Sequence, residues 1–181
     1  MRPKVSVFIA TSLDGFIARP DGAIDWLEAA NATVPPGEDC GYAAFSEKVD
    51  VLVMGRHSFE TVLGFEPWPY GDKRVVVLSS GPVAIPPALA GTVTASSEAP
   101  AALVARLEAE GVRLVYVDGG ITIQRFMAAG LIDELTVTLI PILLGGGRPL
   151  FGPLPADRNL TLLGSRQYDF GFVQLHYRVA P

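Results

Sequence analysis

Short apolar runs rich in valine, isoleucine and leucine recur along the 181-residue chain, and stretches with helical spacing separate them. The apolar runs cover residues 5–11, 49–54, 74–78, 92–95, 114–117 and 134–144. Runs that are short and apolar throughout are typical of strands buried on both faces of a sheet. Because strands that alternate with helices form parallel βαβ units, we expect an α/β fold with a mostly parallel central sheet.

Helical spacing fills several of the intervals between these runs. Predicted helices cover residues 42–48, 58–63, 98–110 and a segment before Gly130 in which Ile123, Phe126 and Met127 share one face. Two late runs, residues 160–167 and 173–179, flank a short turn segment and predict an antiparallel hairpin.

Proline and glycine mark the remaining connections. Residues 32–39 and 64–72 are rich in both and predict loops. The run Gly145-Gly146-Gly147 is followed by Arg148-Pro149 and predicts a tight turn rather than a helix start. We expect one domain over residues 1–181, since a chain of this length fits a single hydrophobic core.

Composition excludes several function classes. Lysine and arginine number 14 against 19 acidic residues, a net charge of −5, whereas a nucleic-acid binder usually carries a basic excess. Cys40, His57 and His176 are too few and too scattered for a disulfide or a metal centre, so we expect no metal. No apolar run is long enough to span a membrane, and the first residues lack a signal-peptide cleavage site. We expect a cytoplasmic protein with a small-molecule partner, and neither nucleic acid nor membrane.

Three predicted strands end directly at turns suited to a phosphate. These turns are residues 55–58, 79–81 and 118–122, which contain glycine, serine or threonine. Ligands of open α/β sheets bind beyond the carboxyl ends of the strands. Glycine lets backbone N–H groups approach a phosphate, and the Arg56 guanidinium matches its charge. Neither G-x-G-x-x-G nor G-x-x-x-x-G-K-[ST] is present, which disfavours a Rossmann dehydrogenase and a P-loop kinase.

The same turns resemble motifs of the dihydrofolate reductase superfamily. MGRHSFE (54–60) resembles the Gly-Arg motif that starts a helix under the cofactor phosphates. VVLSS (76–80) is similar to the strand end beside the adenosine, and VDGG (117–120) to the paired-glycine turn. SLDGFIA (12–18), LIDEL (131–135) and GGGRPLF (145–151) look more like the reductase domain of the riboflavin pathway, the RibD C-terminal domain family. The resemblance extends over residues 5–179.

This resemblance implies a three-layer dihydrofolate reductase-like fold with NADPH as the hydride donor. Residues carried over to cofactor binding are Ala10, Ile17, Gly55, Arg56, His57, Ser58, Leu78, Ser79, Ser80, Gly119, Gly120, Ile121 and Thr122. Residues carried over to the substrate side are Thr11, Trp26 and Asp39. Arg56 and His57 beside a 2′-phosphate would favour NADPH over NADH, because they complement its added charge.

The reduced substrate also needs a proton, and two aspartates are candidates for the catalytic acid. Asp39 precedes the predicted helix 42–48, where dihydrofolate reductases carry their carboxylate, and Asp14 lies in the first loop near the expected nicotinamide. Ordinary structural roles remain open for the same residues. Asp39 could cap its helix, Arg56 could pair with Glu60, and Trp26 could belong to the core.

Several functions therefore stay open. The favoured one is a riboflavin-pathway reductase, which reduces the ribose of a ribosylamino-pyrimidine phosphate to ribityl. Only three lysines, Lys4, Lys48 and Lys73, are available to such a phosphate. The alternatives are a dihydrofolate reductase, a reductase of another pterin, imine or carbonyl compound, and a non-catalytic nucleotide-binding dimerisation module. The long apolar stretch 134–144 with GGGRPLF after it leads us to expect a homodimer.

Overall fold

The computed structural model describes residues 1–180, and its strands and helices follow the predicted alternation. The strands are β1 (Lys4–Ser12), β2 (Phe16–Ala18), β3 (Val51–Gly55), β4 (Arg74–Leu78), β5 (Val93–Ser96), β6 (Leu114–Asp118), β7 (Glu134–Ile140), β8 (Arg148–Pro149), β9 (Leu160–Gln167) and β10 (Val173–Val179). The α-helices are α1 (Asp25–Asn31), α2 (Tyr42–Ser46), α3 (Arg56–Val62), α4 (Pro100–Ala109) and α5 (Gly120–Ala128), and a 3-10 turn covers Pro87–Leu89.

Eight strands form one sheet in the order β5-β4-β3-β6-β1-β7-β10-β9. The pairs from β5 to β7 are parallel, whereas β10 runs antiparallel to both β7 and β9. This confirms the mostly parallel sheet and the C-terminal hairpin. Because the parallel strands share one direction, the carboxyl ends of β4, β3, β6, β1 and β7 emerge side by side at one edge of the sheet.

Helices cover the sheet on both faces, which gives three layers. On one face α4 and α5 bury Leu107 and Phe126 against strand residues such as Val53. On the other face Phe59 of α3 packs with Leu52 and Met54. The central strands read as continuous apolar runs because alternate side chains enter both cores. The predicted fold class is therefore confirmed.

Several predicted boundaries are wrong by a few residues. The strand expected over 134–144 ends at Ile140, since Pro141 follows and cannot donate a ladder hydrogen bond. Helix α3 begins at Arg56, directly after β3, rather than at Ser58. Helix α1 was not predicted, because it buries only Trp26 and shows little apolar periodicity.

The glycine run 145–147 lies against another chain segment. A Cβ atom at Gly147 would overlap the Ala18 carbonyl oxygen, so this residue must be glycine for β8 to pair with β2. The predicted tight turn therefore also serves as a contact that closes the small β2-β8 sheet. Among residues 1–180, no helix has the combined length and apolarity that crossing a membrane would require.

Candidate active site

The predicted cofactor turns meet at the carboxyl edge of the sheet. Gly55 at the end of β3 is paired in register with Leu78 of β4, and Met54 is paired with Asp118 of β6. The turns that follow these strands therefore start next to one another. The structure thus places these segments in one row, in the order 78–80, 55–58 and 119–122, and we call this row the cofactor edge.

Close contacts between glycines and side chains lock two of these turns together. Gly119 has a φ of +86°, and a Cβ atom there would overlap the Ser58 hydroxyl. A Cβ atom at Gly55 would lie 2.9 Å from the Thr122 Oγ1. The starts of α3 and α5 can approach this closely only because both positions are glycine.

Loop 12–16 brings a further predicted residue to the same place. The Ile17 Cδ1 would lie 2.9 Å from a Cβ atom at Gly120, and the Pro149 carbonyl oxygen 3.2 Å from it. Ile17 and Gly120 are therefore in contact, whereas Ile121 projects outward with 64% of its surface exposed. Thr122, another predicted cofactor residue, is buried, and its side chain lies against Gly55 at the start of α3.

Charged side chains at the start of α3 face solvent. Arg56 Nε lies 3.8 Å from Glu60 Oε1, and His57 Nδ1 lies 3.2 Å from Glu60 Oε2. The ordinary Arg56–Glu60 pair is thus present, but at this distance and exposure it stabilises the fold very little. Both side chains remain accessible to a ligand. In the neighbouring turn, the Gly81 N–H donates to the Ser79 Oγ at 3.1 Å, which holds that turn closed.

A cavity of about 510 Å³ opens on the sheet face that carries α1 and α2. Its floor is formed by Phe8 and Ala10 of β1 and by Thr138 and Ile140 of β7. Loop 34–40, Leu27, Asn31, Tyr42 and Phe172 form the walls. Ala10 is the predicted cofactor residue that reaches this cavity, so the cavity adjoins the cofactor edge through β1.

Asp39 lies in the cavity wall as predicted, but its carboxylate is bound to backbone. The N–H groups of Gly41 and Ala43 each donate to it at 2.8 Å, one to each oxygen. These hydrogen bonds, the one from Ala43 first, hold the pKa of Asp39 below its ordinary value. Gly41 is the N-cap of α2, so Asp39 does not cap the helix, but its carboxylate anchors the start of α2 from two residues before the cap. The low pKa of Asp39 makes it a poor proton donor at neutral pH.

Asp14 also serves as an anchor between two loops. The Ser12 hydroxyl donates to it at 2.6 Å, and the N–H groups of Leu144 and Gly145 donate at 3.1 Å and 2.8 Å. The Ser12 hydrogen bond is the main reason that the pKa of Asp14 lies below its ordinary value. Asp14 thus ties the loop after β1 to the loop after β7 and, like Asp39, holds no proton at neutral pH.

The other two predicted substrate residues do not line the cavity. Thr11 is 2% exposed and lies within β1. Trp26 is 3% exposed and packs in a cluster with Ile140, Tyr168 and Phe172. The core position that the sequence left open for Trp26 is confirmed. Trp26 packs behind Ile140 and Phe172, two of the residues that line the cavity.

Four side chains of the cavity region were not predicted from the sequence. Phe8 and Thr138 lie on strands, and alternation from Ala10 could have identified Phe8 as facing the same side. Gln174 of β10 donates through Nε2 to the Thr138 Oγ1 and to the Cys40 carbonyl oxygen, both at 3.0 Å. Tyr42 was noted only as the start of a helix. No local pattern links Gln174 to residues so far away along the chain.

Asp118 was noted only as part of a glycine turn, but its carboxyl group is unusual. It is partly buried at the end of β6, and burial raises its pKa above the ordinary value. Burial also raises the pKa of Tyr42, and the charge of Asp118 adds to that rise. Burial thus shifts the pKa values of Asp118 and Tyr42 upward, whereas hydrogen bonds shift those of Asp14 and Asp39 downward.

The anchoring role of Asp39 predicts a difference between two substitutions. Asp39→Ala removes the acceptors for two N–H groups and should lower the free energy of unfolding by about 1 kcal/mol. Asp39→Asn keeps an acceptor and should lose less than half of that. Urea denaturation at neutral pH measures both values, and equal losses in the two variants would contradict the hydrogen-bonding role.

The anchoring role of Asp14 predicts a pH dependence. Its folded pKa lies below the unfolded value, so its contribution to stability is present above pH about 4 and is lost as pH falls through the folded pKa. The difference in free energy of unfolding between wild type and Asp14→Asn should therefore shrink as pH is lowered from about 5 to 2. Asp157→Asn, at an exposed aspartate, is the control. A difference that stays constant with pH would contradict this role.

Comparisons with known proteins place the fold and the family. Residues 3–174 match the RibD C-terminal domain family. The chain is 38% identical over 180 residues to the uncharacterized protein YwjB of Bacillus subtilis (strain 168), covering 98% of each. A crystal structure from Shewanella sp. PV-4, of a protein provisionally named for riboflavin biosynthesis, is 40% identical, has a TM-score of 0.91 and covers all of both chains.

A more distant structure shares the fold. It is the diaminohydroxyphosphoribosylaminopyrimidine deaminase/5-amino-6-(5-phosphoribosylamino)uracil reductase of Thermotoga maritima, with a TM-score of 0.70 and 15% identity. It covers 99% of this chain, which spans 57% of that one. The matched residues include the edge turns and the cavity floor described above. The chain therefore belongs to the RibD C-terminal domain family and has its dihydrofolate reductase-like fold.

Proposed function

We propose that this protein is an NADPH-dependent reductase of a small heterocyclic imine or carbonyl compound. The observation that carries the proposal is that the cavity and the cofactor edge adjoin at β1. Ala10 lines the cavity, and the loop after β1 brings Ile17 against Gly120 at the cofactor edge. Bound NADPH would supply the hydride, and the protein would supply placement and a route for a proton. A cavity of about 510 Å³ has the size of a small-molecule site.

The residues at the edge fit a dinucleotide phosphate. Gly119 and Gly120 open the way to the first N–H groups of α5, which have no partner within the helix. Arg56 and His57 are exposed beside this turn, and their nearest carboxylate, Glu60, is only loosely paired with Arg56. Ser79 and Ser80 flank the same row on the β4 side. These groups would hold the pyrophosphate and the 2′-phosphate.

The proton for the product needs an acid that keeps its proton at neutral pH. Asp14 and Asp39 do not meet this requirement, because backbone N–H groups stabilise their ionised forms. Tyr42 lines the cavity, and its phenol carries a proton at neutral pH as tyrosine ordinarily does. The proposal therefore assigns proton donation to Tyr42 instead of the two aspartates predicted from the sequence.

The alternative functions receive less support from the cavity. Folate reduction was expected to need a buried carboxylate facing a flat pterin slot. Asp39 is exposed and bound to backbone, and Glu38 accepts from the Cys40 N–H and pairs with Arg166. A non-catalytic nucleotide-binding module would have no use for the cavity beside the edge. The structural roles of Asp14 and Asp39 are compatible with such a module. A ribosylamino-pyrimidine is the first substrate to test, because its phosphate is the compound that the resemblance implies.

The homodimer stays a prediction, and the structure narrows where it could form. Strand β7 lies inside the sheet between β1 and β10, so most of the stretch 134–144 is used within the chain. Leu143, which is 69% exposed, and Phe151, which is 50% exposed, are the large apolar side chains of this region that face solvent. A two-fold interface through this region would have to centre on them.

Cofactor choice gives the first test of the proposed function. NADPH should bind at least about tenfold more tightly than NADH, because a charge-assisted contact to the 2′-phosphate contributes roughly 1.5 kcal/mol or more. Arg56→Ala should remove most of that preference, and Glu60→Gln should strengthen NADPH binding by relieving competition for Arg56 and His57. Quenching of the two tryptophans measures both affinities, with Arg113→Ala as the control at an arginine that is 86% exposed.

Two outcomes would count against it. Equal affinities for both nucleotides, unchanged in Arg56→Ala, would contradict the 2′-phosphate contact. Failure of either nucleotide to bind would overturn the reductase.

Proton donation gives a second test. Tyr42→Phe should lower kcat by roughly a hundredfold with a smaller change in KM, since loss of a general acid typically costs that much. Asp39→Asn should keep kcat within about threefold, and Tyr70→Phe, at a half-buried tyrosine that is not in the cavity wall, is the matched control. Loss of NADPH absorbance with ribosylamino-pyrimidines and pterins as substrates measures the rates. A large loss in Asp39→Asn with none in Tyr42→Phe would return the role to Asp39.

A further inference from the structure

We infer that the cavity is built for an uncharged, flat heterocycle and discriminates against a substrate that carries a phosphate group. The inference rests on the proposed function and adds the chemical class of its substrate. It departs from the compound that the resemblance implies, because a ribosylamino-pyrimidine phosphate is a dianion. The argument depends on the charges and the polar groups that surround the cavity.

The charged side chains in the cavity wall are acidic. Among the described residues that line it, Glu38 and Asp39 carry charge, and lysine, arginine and histidine are absent. A phosphate dianion in a protein is normally held by arginine, lysine or several free N–H groups. Here it would instead face two carboxylates whose pairing partners are already fixed.

Arg166 is a cation near the cavity rim, and its charge is committed elsewhere. Its Nη2 lies 3.2 Å from the Glu38 Oε2, and its guanidinium carbon lies 4.5 Å from the centre of the Tyr168 ring. The other Glu38 oxygen accepts the Cys40 N–H at 2.7 Å. Arg166 therefore links the 34–40 loop to β9 through Glu38, and a phosphate at the rim would compete with the Glu38 carboxylate for this guanidinium.

The three lysines of the chain lie away from the cavity. Lys4 pairs with Glu134 at 2.7 Å at the amino end of β1, the end opposite to the cofactor edge. Lys48 follows α2 and Lys73 precedes β4, and neither lines the cavity. None of the three lysines therefore lines the cavity, whereas the exposed Arg56 guanidinium lies at the cofactor edge.

The uncharged part of the wall suits a flat ring with hydrogen-bonding edges. Phe8, Tyr42 and Phe172 present aromatic surface, and the first two rings meet edge to face with centroids 5.6 Å apart. Thr138 adds a hydroxyl group to the lining, and its Oγ1 accepts from Gln174. The side-chain amide of Asn31 also lines the cavity and adds an uncharged donor and an uncharged acceptor.

The test compares one pair of ligands that differ only in charge. A ribosylamino-uracil and its 5′-phosphate are titrated into the protein saturated with NADPH, and binding is followed by tryptophan fluorescence so that the result does not require turnover. The uncharged member should bind at least tenfold more tightly. NADPH oxidation with each compound then gives the ratio of the two kcat/KM values, which should favour the same member.

Two variants locate the cause of the discrimination. Glu38→Gln frees Arg166 and should tighten binding of the phosphorylated member about tenfold, while changing the uncharged member less than threefold. Glu47→Gln, at an exposed carboxylate directly after α2, is the control and should change neither. Arg166→Ala should leave the uncharged member bound, with thermal unfolding of each variant as the check on folding.

The outcomes separate this inference from the proposed function. Tighter binding of the phosphorylated member, lost in Arg166→Ala, would overturn the inference and leave the reductase intact. Binding of neither member by the NADPH-loaded protein would overturn the heterocycle class. If NADPH itself does not bind, the proposed function fails at the earlier step.

Discussion

The contact between two glycine turns holds the candidate active site together. Gly119 reaches the Ser58 hydroxyl so closely that no Cβ atom fits, and Gly55 has the same relation to Thr122. Each turn follows a strand, and the strands β3 and β6 are neighbours in register. The sheet therefore brings the turns together, and the missing side chains let the helix starts approach. The cofactor edge and the floor of the cavity then follow from strand order, since β1 lies directly beside β6.

Acidic groups near this site serve mainly to hold loops in place. Asp14 joins the loops after β1 and β7, Asp39 anchors the start of α2, and Glu38 links the cavity wall to Arg166. A carboxylate that accepts several N–H donors is stabilised in its charged form and carries no proton at neutral pH. The hydrogen bonds that shape the loops thus leave Asp14 and Asp39 without a proton to donate. Tyr42 in the cavity wall, whose phenol is protonated at neutral pH, is the acid that we propose instead.

The sequence predicts the backbone of the site better than its side chains. Gly55, Gly119 and Gly120 were found because a strand that ends at glycine is a local pattern with a known geometric use. Thr138 and Gln174 were not found, because their roles arise from pairing between β7 and β10 over 36 positions of sequence. Asp39 lines the cavity, but its pKa depends on where two backbone N–H groups point, which the sequence does not show. Trp26 was assigned to the substrate from the resemblance, which does not separate a residue of the cavity wall from one that packs behind it.

The two halves of the site have opposite preferences for charge, and this follows from which elements form them. The cofactor edge is made of helix starts and turns, whose free N–H groups and exposed Arg56 and His57 favour anions. The cavity is made of strand faces and a loop, whose charged residues are acids held by backbone or by Arg166. A phosphate-rich cofactor and an uncharged substrate would each meet the region that suits it. The two regions adjoin through β1. A dinucleotide that bound in the cavity instead of at the edge would place its phosphates against Glu38 and Asp39.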